Sequence, residues 1–318
     1  MPRGVVNALT FDVEEWFHAA NLGVPRDRWE SLASRLDGPI DKILALLECH
    51  ATRATFFVLG WVADRHPQIV LRIHRRGHEI ASHGYWHEPV TAQSRDEFRA
   101  DLVASKDSLE GITGEALTGY RAPSYSIGKD TEWALDELQR QGFLYDSSVY
   151  PVRAPHGRYG VAGAPLRPYR IHPELWEFPL PTVAVFGHRL PAATGGYLRL
   201  WPMAVTEQAL KQNRRSGIPT VVNIHPWEMD PDHPRWPAPW WRRALHYNNL
   251  HGTEGKLSRL LAAYSFTTLA ALRESCERQE AVDARPVTRR KSAYAHAGCD
   301  HLRGAPIPAA GLDAALVR

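Results

Sequence analysis

The alternation of strands and helices constrains the fold of this 318-residue chain more than any other feature. Segments with a helical spacing of apolar residues separate short β-prone runs, which lie at 5–12, 51–60, 78–82, 116–123, 220–225 and 265–268. This order predicts an α/β fold with a mostly parallel sheet. Polar residues stand at the predicted strand ends, namely Asp12, Ser82–His87, Arg121, Asp146 and His225. Because chemistry gathers at the carboxyl ends of parallel strands, we expect these residues to share one site.

Two stretches interrupt the alternation. Residues 150–202 are rich in Pro and Gly, and residues 226–252 are rich in Pro, Trp, Arg and His. Long irregular segments in a compact domain are usually functional or disordered, and the aromatic residues in both stretches favour ordered loops near the site. We therefore expect one catalytic domain over residues 1–279, which includes a distinctive region at about 195–270, and a disordered tail at 280–318.

Composition limits the kinds of binding partner and the cellular compartment that we expect for this protein. Hydrophobic residues make up 44% of the chain, charged residues make up 23%, and the formal net charge is +3, which does not favour nucleic-acid binding. The three cysteines are too few and too widely spaced for a disulfide framework. No stretch reads as a signal peptide or as the about 18 apolar residues of a membrane span. These features predict a cytoplasmic enzyme, which can still act beside the inner face of a membrane.

Four residues have the chemistry of a hydrolytic metal site. His83 and His87 stand four apart in SHGYWH, a spacing that lets two imidazoles meet one ion. Asp12 and Glu14 in TFDVEEW share one face of a strand, where two carboxylates repel each other unless a cation or a proton lies between them. Glu14, His83 and His87 would be the three ligands, and Asp12 would accept a proton from a water. This ligand set suits zinc and is compatible with cobalt, nickel or manganese.

Three further strand-end residues complete the predicted site. Arg121 in GYRAPSY would keep Asp12 ionised and oriented. His225 in VVNIHPWE would serve as a general acid that protonates a departing amine. Asp146 in YDSSVYP would hold the imidazole of His225 and raise its pKa.

The ordered segments TFDVEEW, SHGYWH, RAPSYS, DSSVYP and NIHPWE resemble the five motifs of the polysaccharide deacetylase (NodB-homology) family of carbohydrate esterases. The resemblance runs from about Val5 to Phe266. GGYLRLWP, HPWEMDPDHPRWP and HYNNLHGTEGKL also resemble the C-terminal region of a subgroup associated with exosortase/PEP-CTERM exopolysaccharide clusters. The resemblance implies a distorted (β/α) barrel and the removal of N-acetyl groups from an exopolysaccharide or its oligosaccharide intermediate, which releases acetate. It is also compatible with peripheral association with membrane-bound polysaccharide machinery.

The resemblance also implies roles for individual residues. It assigns the general base to Asp12. The metal-binding imidazoles would be those of His83 and His87, and the general acid would be His225. It implies that the backbone N–H of Tyr125 points at the substrate carbonyl. The first motif departs from the family pattern, because Val13 stands where a second aspartate is usual. Glu14 fits the missing carboxylate by strand parity, and Glu15 is the alternative if the backbone twists there.

Aromatic residues flank the predicted site. Trp86 and Trp227 would line a sugar groove.

Two other functions are compatible with the same set of residues. A hydrolase of cyclic amides such as ureides would use the same fold and metal. A non-catalytic glycan-binding module would follow if the departure at Val13 had removed the metal site.

Overall fold

The computed structural model describes residues 5–152 and 160–283, which form helices around a mostly parallel sheet. The strands are β1 (Asn7–Val13), β2 (Thr55–Val58), β3 (Glu79–Ser82), β4 (Gly119–Tyr120), β5 (Tyr145–Asp146), β6 (Tyr169–His172), β7 (Leu175–Glu177), β8 (Thr182–Val185), β9 (His188–Pro191), β10 (Val221–Ile224) and β11 (Phe266–Thr267). The α-helices are α1 (Asp37–Cys49), α2 (Gly60–Arg65), α3 (Pro67–Arg75), α4 (Arg95–Thr113), α5 (Trp133–Arg140), α6 (Gly195–Leu200), α7 (Met203–Arg215), α8 (Trp240–Tyr247), α9 (Thr253–Ala263) and α10 (Leu269–Asp283). The predicted α/β fold is confirmed.

The main sheet has the strand order β10-β1-β2-β3-β4-β5-β7-β6, and β11 pairs with β1 beside this path. All these pairs are parallel except β6 with β7. Thr10 of β1 pairs with Asn223 of β10, so the first strand and a strand from far along the chain are neighbours. The strand ends predicted to carry chemistry therefore open on the same edge of the sheet.

The helices pack on the sheet through the faces that the sequence indicates. Ile40, Ile43, Leu44 and Leu47 of α1 are all buried, as their helical spacing predicts. Ser94 caps α4 by accepting a hydrogen bond from the backbone N–H of Glu97, and burying the apolar side of such a capped helix is its main stabilisation. Phe11 stacks on Phe56 across β1 and β2 with ring centroids 4.9 Å apart.

The two stretches predicted as irregular contain secondary structure. Residues 150–202 include β6, β7, the separate hairpin β8–β9 and α6, and residues 226–252 include α8. These elements have three to eight residues and are flanked by prolines, so they are too short to show a periodic pattern. The final helix runs to Asp283, four residues into the predicted tail, and the rest of that tail from residue 284 lies outside the described residues.

Within the ranges that the structure describes, no helix combines the length and the apolar character that a membrane span requires.

Candidate active site

Asp12 lies at the carboxyl end of β1, and its carboxylate is buried with both oxygens hydrogen-bonded. Arg121 Nη1 donates to Oδ1 at 2.8 Å, and Asn223 Nδ2 donates to Oδ2 at 2.8 Å. Burial raises the pKa of Asp12, but the charges of Arg121, His83 and His225 lower it more, so the net pKa is below its ordinary value. Asp12 is therefore a carboxylate held in one orientation.

Arg121 is fully buried, and every nitrogen of its guanidinium is bonded. Nη1 also donates to Thr10 Oγ1 at 2.8 Å, and Nε and Nη2 donate to the carbonyl and hydroxyl of Ser147 at 3.0 and 2.8 Å. The guanidinium carbon lies 4.1 Å from the ring centroid of Phe57. The sequence led us to expect Arg121 beside Asp12, and the structure places it there, with hydrogen bonds from all three guanidinium nitrogens orienting it.

Glu14, His83 and His87 bring one ligand atom each within 4.8 Å of one another, which is the geometry of a metal-binding cluster. His83 Nδ1 lies 2.8 Å from the carbonyl oxygen of Arg121. In this contact Nδ1 carries the proton, so the Nε2 lone pair is left for a cation. Burial lowers the pKa of His83 to about 4, which keeps the imidazole neutral as a ligand must be.

Glu14, and not Glu15, belongs to this cluster. Glu14 Oε1 accepts a hydrogen bond from Trp227 Nε1 at 3.0 Å. Glu14 Oε2 is buried and lies 2.7 Å from His87 Nε2. Glu15 turns the other way, because its Oε2 accepts the backbone N–H of Arg35 at 3.1 Å, and burial raises its pKa to about 7.

His225 faces the same cluster from the end of β10. Its Nε2 lies 3.7 Å from Asp12 Oδ2 and 3.8 Å from Glu14 Oε1, and its side chain is 18% exposed. Its Nδ1 lies 3.0 Å from Glu228 Oε2. Burial acts to lower the pKa of His225, but the hydrogen bond and charge of Glu228, with Glu14 and Asp12, raise it to about 9.

The carboxylate that holds His225 is therefore Glu228, and the prediction that Asp146 does so is wrong. Glu228 is fully buried, its Oε2 also accepts the backbone N–H of His225 at 2.9 Å, and its Oε1 accepts Arg199 Nε at 2.5 Å. The reason is spatial. In the sheet order, β5 with Asp146 is five strands away from β10, whereas Glu228 is three residues from His225 on the turn that follows β10.

Asp146 instead supports the loop that carries Arg121. Its Oδ1 accepts from Ser148 Oγ at 2.5 Å, and Ser148 Oγ accepts the backbone N–H of Ala122 at 2.8 Å. Burial raises the pKa of Asp146 to about 6, although its hydrogen bonds with Ser148 and the equally buried Glu177 act to lower it. Asp146 is thus a buried residue that stabilises the loop next to Arg121 through Ser148.

Tyr125 also differs from its expected role. Its backbone N–H donates to the carbonyl of Ala122 at 3.0 Å, so that N–H is not free to meet a substrate oxygen. Its hydroxyl oxygen accepts from Asn223 Nδ2 at 2.9 Å. Burial holds the pKa of Tyr125 far above its ordinary value, so the hydroxyl keeps its proton. The group that Tyr125 can offer to a ligand is its hydroxyl.

The two tryptophans predicted to line a sugar groove take different positions. Trp227 is only 6% exposed and stacks on His225 with ring centroids 5.3 Å apart, so it packs against the imidazole of His225 and has little surface left for a sugar. Trp86 is half-buried, and Arg26 lies 4.8 Å from its ring centroid. Trp86, Arg26, Glu88 and Gln93 line a cavity of about 490 Å³ beside the His87 segment.

Three residues of the site were not predicted. Asn223 binds Asp12 and Tyr125, Glu228 binds His225, and Arg199 binds Glu228. Strand parity could have indicated Asn223, because it stands two residues before His225 on the same face of β10. The spacing of Glu228 to His225 could have indicated a capping contact. No sequence pattern indicates the contact of Arg199 with Glu228, because Arg199 lies on a separate helix, α6.

Comparison with known families gives two matches along the chain. Residues 36–143 match the polysaccharide deacetylase family, and residues 147–274 match a domain of unknown function, DUF3473. Asp12 and Glu14 precede the first matched range, and His225 lies in the second. The site is thus built from both matched ranges and from the segment before them.

Curated relatives match over part of their length. A peptidoglycan-N-acetylglucosamine deacetylase of Bacillus cereus is 35% identical over 130 residues, which cover 39% of this chain and 46% of the relative. The peptidoglycan-N-acetylmuramic acid deacetylase PdaA of Bacillus subtilis is 30% identical over 107 residues, which cover 34% of this chain and 40% of that protein. The chain therefore spans less than half the length of these relatives.

A solved structure is similar over most of the chain. The crystal structure of a putative polysaccharide deacetylase from Mycobacterium smegmatis has a TM-score of 0.61 and 21% identity, and the match covers 88% of this chain and 93% of that one. At this identity the likeness concerns the fold alone. The expected distorted (β/α) barrel is confirmed.

Proposed function

We propose that this chain, which carries a polysaccharide deacetylase domain, is a metal-dependent hydrolase that removes N-acetyl groups from a glycan. One observation carries the proposal. The cluster of Glu14, His83 and His87 is faced by a buried carboxylate, Asp12, and by an imidazole, His225. Three ligands with a base and an acid beside them are the parts that metal-assisted amide hydrolysis requires.

The donor set fits a divalent metal. Two imidazoles and one carboxylate suit zinc and are compatible with cobalt, nickel or manganese. Glu14 Oε2 is buried and lies 2.7 Å from His87 Nε2, so two of the three ligand atoms converge on one point, as binding of a single cation requires. The contacts of Trp227 to Glu14 and of Arg121 to His83 orient two of the ligands from behind. When bound, the metal would polarise the acetamide carbonyl and lower the pKa of a water beside it.

Asp12 would act as the general base. Its lowered pKa makes it a carboxylate at neutral pH, and Arg121 and Asn223 hold both its oxygens in place. A carboxylate oxygen retains a second lone pair when it accepts one hydrogen bond, so Asp12 can still receive a proton from the attacking water. Fixing its orientation in advance lowers the entropic cost of the reaction.

His225 would act as the general acid. Glu228 binds Nδ1, so the proton to be transferred sits on Nε2, which faces Asp12 and Glu14. Its raised pKa keeps the imidazole protonated at neutral pH. Nε2 then gives its proton to the amine as the C–N bond breaks, and acetate and a free amino sugar are released.

The Glu228→Gln variant is expected to shift the alkaline limb of the kcat profile to lower pH. His225 must be protonated to act, so activity falls as the pH rises through the pKa of His225. Without the Glu228 charge, burial would lower that pKa, and at pH 8 we expect kcat to fall about tenfold or more. The measurement is the pH dependence of kcat.

The matched control for Glu228→Gln is Asp146→Asn, which makes the same chemical change at another buried carboxyl. It should lower the melting temperature but leave the alkaline limb in place, because Asp146 binds Ser148 and not His225. A shift of the limb in Asp146→Asn, with none in Glu228→Gln, would return the role to Asp146.

The Tyr125 hydroxyl would donate a hydrogen bond to the carbonyl oxygen as it gains charge. Because Asn223 donates to the oxygen of this hydroxyl, the hydroxyl proton can be donated to a substrate oxygen. We expect Tyr125→Phe to lower kcat about 100-fold with little change in KM, since removing one donor to a developing oxyanion has an effect of this size. Steady-state kinetics test this, and an unchanged kcat would remove Tyr125 from the reaction.

The substrate we propose is an N-acetylated exopolysaccharide or its oligosaccharide intermediate. The two relatives described above are named as deacetylases of peptidoglycan sugars, which supports an N-acetyl hexosamine unit. The partial exposure of His225 and the cavity beside Trp86 support a site that an extended chain can reach from outside.

A substrate panel tests this class assignment. The purified protein with zinc is offered N-acetylglucosamine oligomers of increasing length and, in parallel, cyclic ureides. Acetate release that improves with oligomer length supports the proposal. Ring opening of a ureide without acetate release would point to a cyclic-amide hydrolase, and neither reaction by a zinc-loaded protein would point to a glycan-binding module.

A further inference from the structure

Helix α8 presents large apolar side chains to solvent. Trp240 is 80% exposed, Trp241 is 46% exposed and Leu245 is 41% exposed. These positions are spaced i, i+1 and i+5, so they lie on one side of the helix, and His246 on the opposite side is buried. Exposed tryptophans grouped on one helix face are unusual for a surface that stays in water.

The same segment is strongly basic. Residues 233–247 contain three arginines and no aspartate or glutamate. Arg235 and Arg243 are exposed, and in the part of the chain that the structure describes neither forms a salt bridge. Arg235 lies 4.2 Å from the ring centroid of Tyr247. We call Trp240, Trp241, Leu245, Arg235 and Arg243 the α8 surface.

We infer that the α8 surface docks the protein on an anionic lipid bilayer. Tryptophan side chains favour the boundary between headgroups and acyl chains, and arginines bind lipid phosphates and follow the negative surface potential. A helix with an apolar side and unpaired basic residues has the composition of a peripheral membrane anchor.

Other occupants fit this surface less well. A second copy of the chain would place the unpaired arginines of two molecules against one another, which is unfavourable. A neutral sugar chain stacks on aromatic rings and can accept hydrogen bonds from arginines, but it carries no charge that would complement these cations.

The α8 surface is attached directly to the candidate active site. Arg199, which binds Glu228, also donates to the carbonyls of Leu245 and Asn248 at the end of α8, at 3.1 and 2.6 Å. His246 of α8 stacks on Trp227 with ring centroids 4.3 Å apart. A docked α8 therefore brings the His225 site close to the bilayer, where a glycan carried on a lipid would be presented.

Vesicle binding tests the inference without reference to any catalytic activity. The full chain is sedimented with vesicles of phosphatidylcholine alone and of phosphatidylcholine with phosphatidylglycerol, at low and high salt. We expect binding to the anionic vesicles that weakens with salt. We expect Arg235→Gln/Arg243→Gln to weaken it about 25-fold, since each arginine near such a surface contributes about fivefold, or about 1 kcal/mol. Trp240→Ser/Trp241→Ser should weaken binding at least tenfold.

The matched control is Arg214→Gln/Arg215→Gln, which removes two exposed arginines at the end of α7 and changes the net charge equally. It should bind vesicles like the unchanged chain. Melting temperatures verify that all variants fold. We expect them to fold, because the replaced side chains are exposed.

Four results would overturn the inference. The first is that the unchanged chain does not bind anionic vesicles. The second is that the control weakens binding as much as the α8 variants do. The third is a dimer that forms with rising concentration and is lost in Trp240→Ser/Trp241→Ser, which would assign the α8 surface to a second copy. The fourth is full vesicle binding by the tryptophan variant with weakened binding of a soluble N-acetylated oligosaccharide, which would assign the α8 surface to the glycan.

Discussion

The Asp12→Asn variant is expected to lose about 10²- to 10⁴-fold in kcat, which is the size of effect that removal of a general base has. The amide keeps the shape of the carboxylate but cannot accept a proton from the attacking water. Arg121 would then lie buried beside a neutral group, and a buried charge that loses its partner destabilises the fold. The measurement is single-turnover acetate release, together with the melting temperature.

The control for Asp12→Asn is its zinc content. The metal ligands are untouched, so the variant should still bind one equivalent of zinc while its turnover is lost. A variant that keeps near-normal turnover at full zinc occupancy would show that another group accepts the proton.

The Glu14→Gln variant is expected to lose the metal and, with it, activity. Replacing a group that merely orients a ligand lowers metal affinity about 10- to 100-fold, so the loss of a ligand itself should exceed that range. The measurement is competition for zinc against a chelator of known affinity, followed by elemental analysis.

Glu15→Gln is the matched control, since it makes the same change one residue later. Glu15 points to the backbone of Arg35, and its pKa of about 7 means that much of it is already uncharged at neutral pH. It should retain zinc and activity. Loss of zinc in Glu15→Gln with retention in Glu14→Gln would place the ligand at Glu15.

Much of the site could be predicted from the sequence because strand ends are local features. Asp12, His83, Arg121 and His225 each follow a short β-prone run, and parallel strands bring such ends together. The parity of β1 also indicated Glu14 over Glu15, which the observed orientations of the two side chains match.

Other parts could not be predicted because they depend on packing between distant segments. Trp227 meets Glu14 across 213 positions of the chain, and Arg199 reaches Glu228 from a separate helix. The identification of Asp146 as the partner of His225 failed because motif order does not specify which buried carboxyl faces the imidazole. The role expected for Tyr125 failed because its N–H closes a local turn with Ala122.

We propose that a metal held by Glu14, His83 and His87 enables amide hydrolysis of an N-acetylated sugar. Acetate release from N-acetylglucosamine oligomers tests it most directly, measured for protein as purified, after removal of metal with a chelator, and after one equivalent of zinc is restored. We expect release that disappears with the chelator and returns with zinc. Release at the same rate from metal-free protein, verified by elemental analysis, would contradict it.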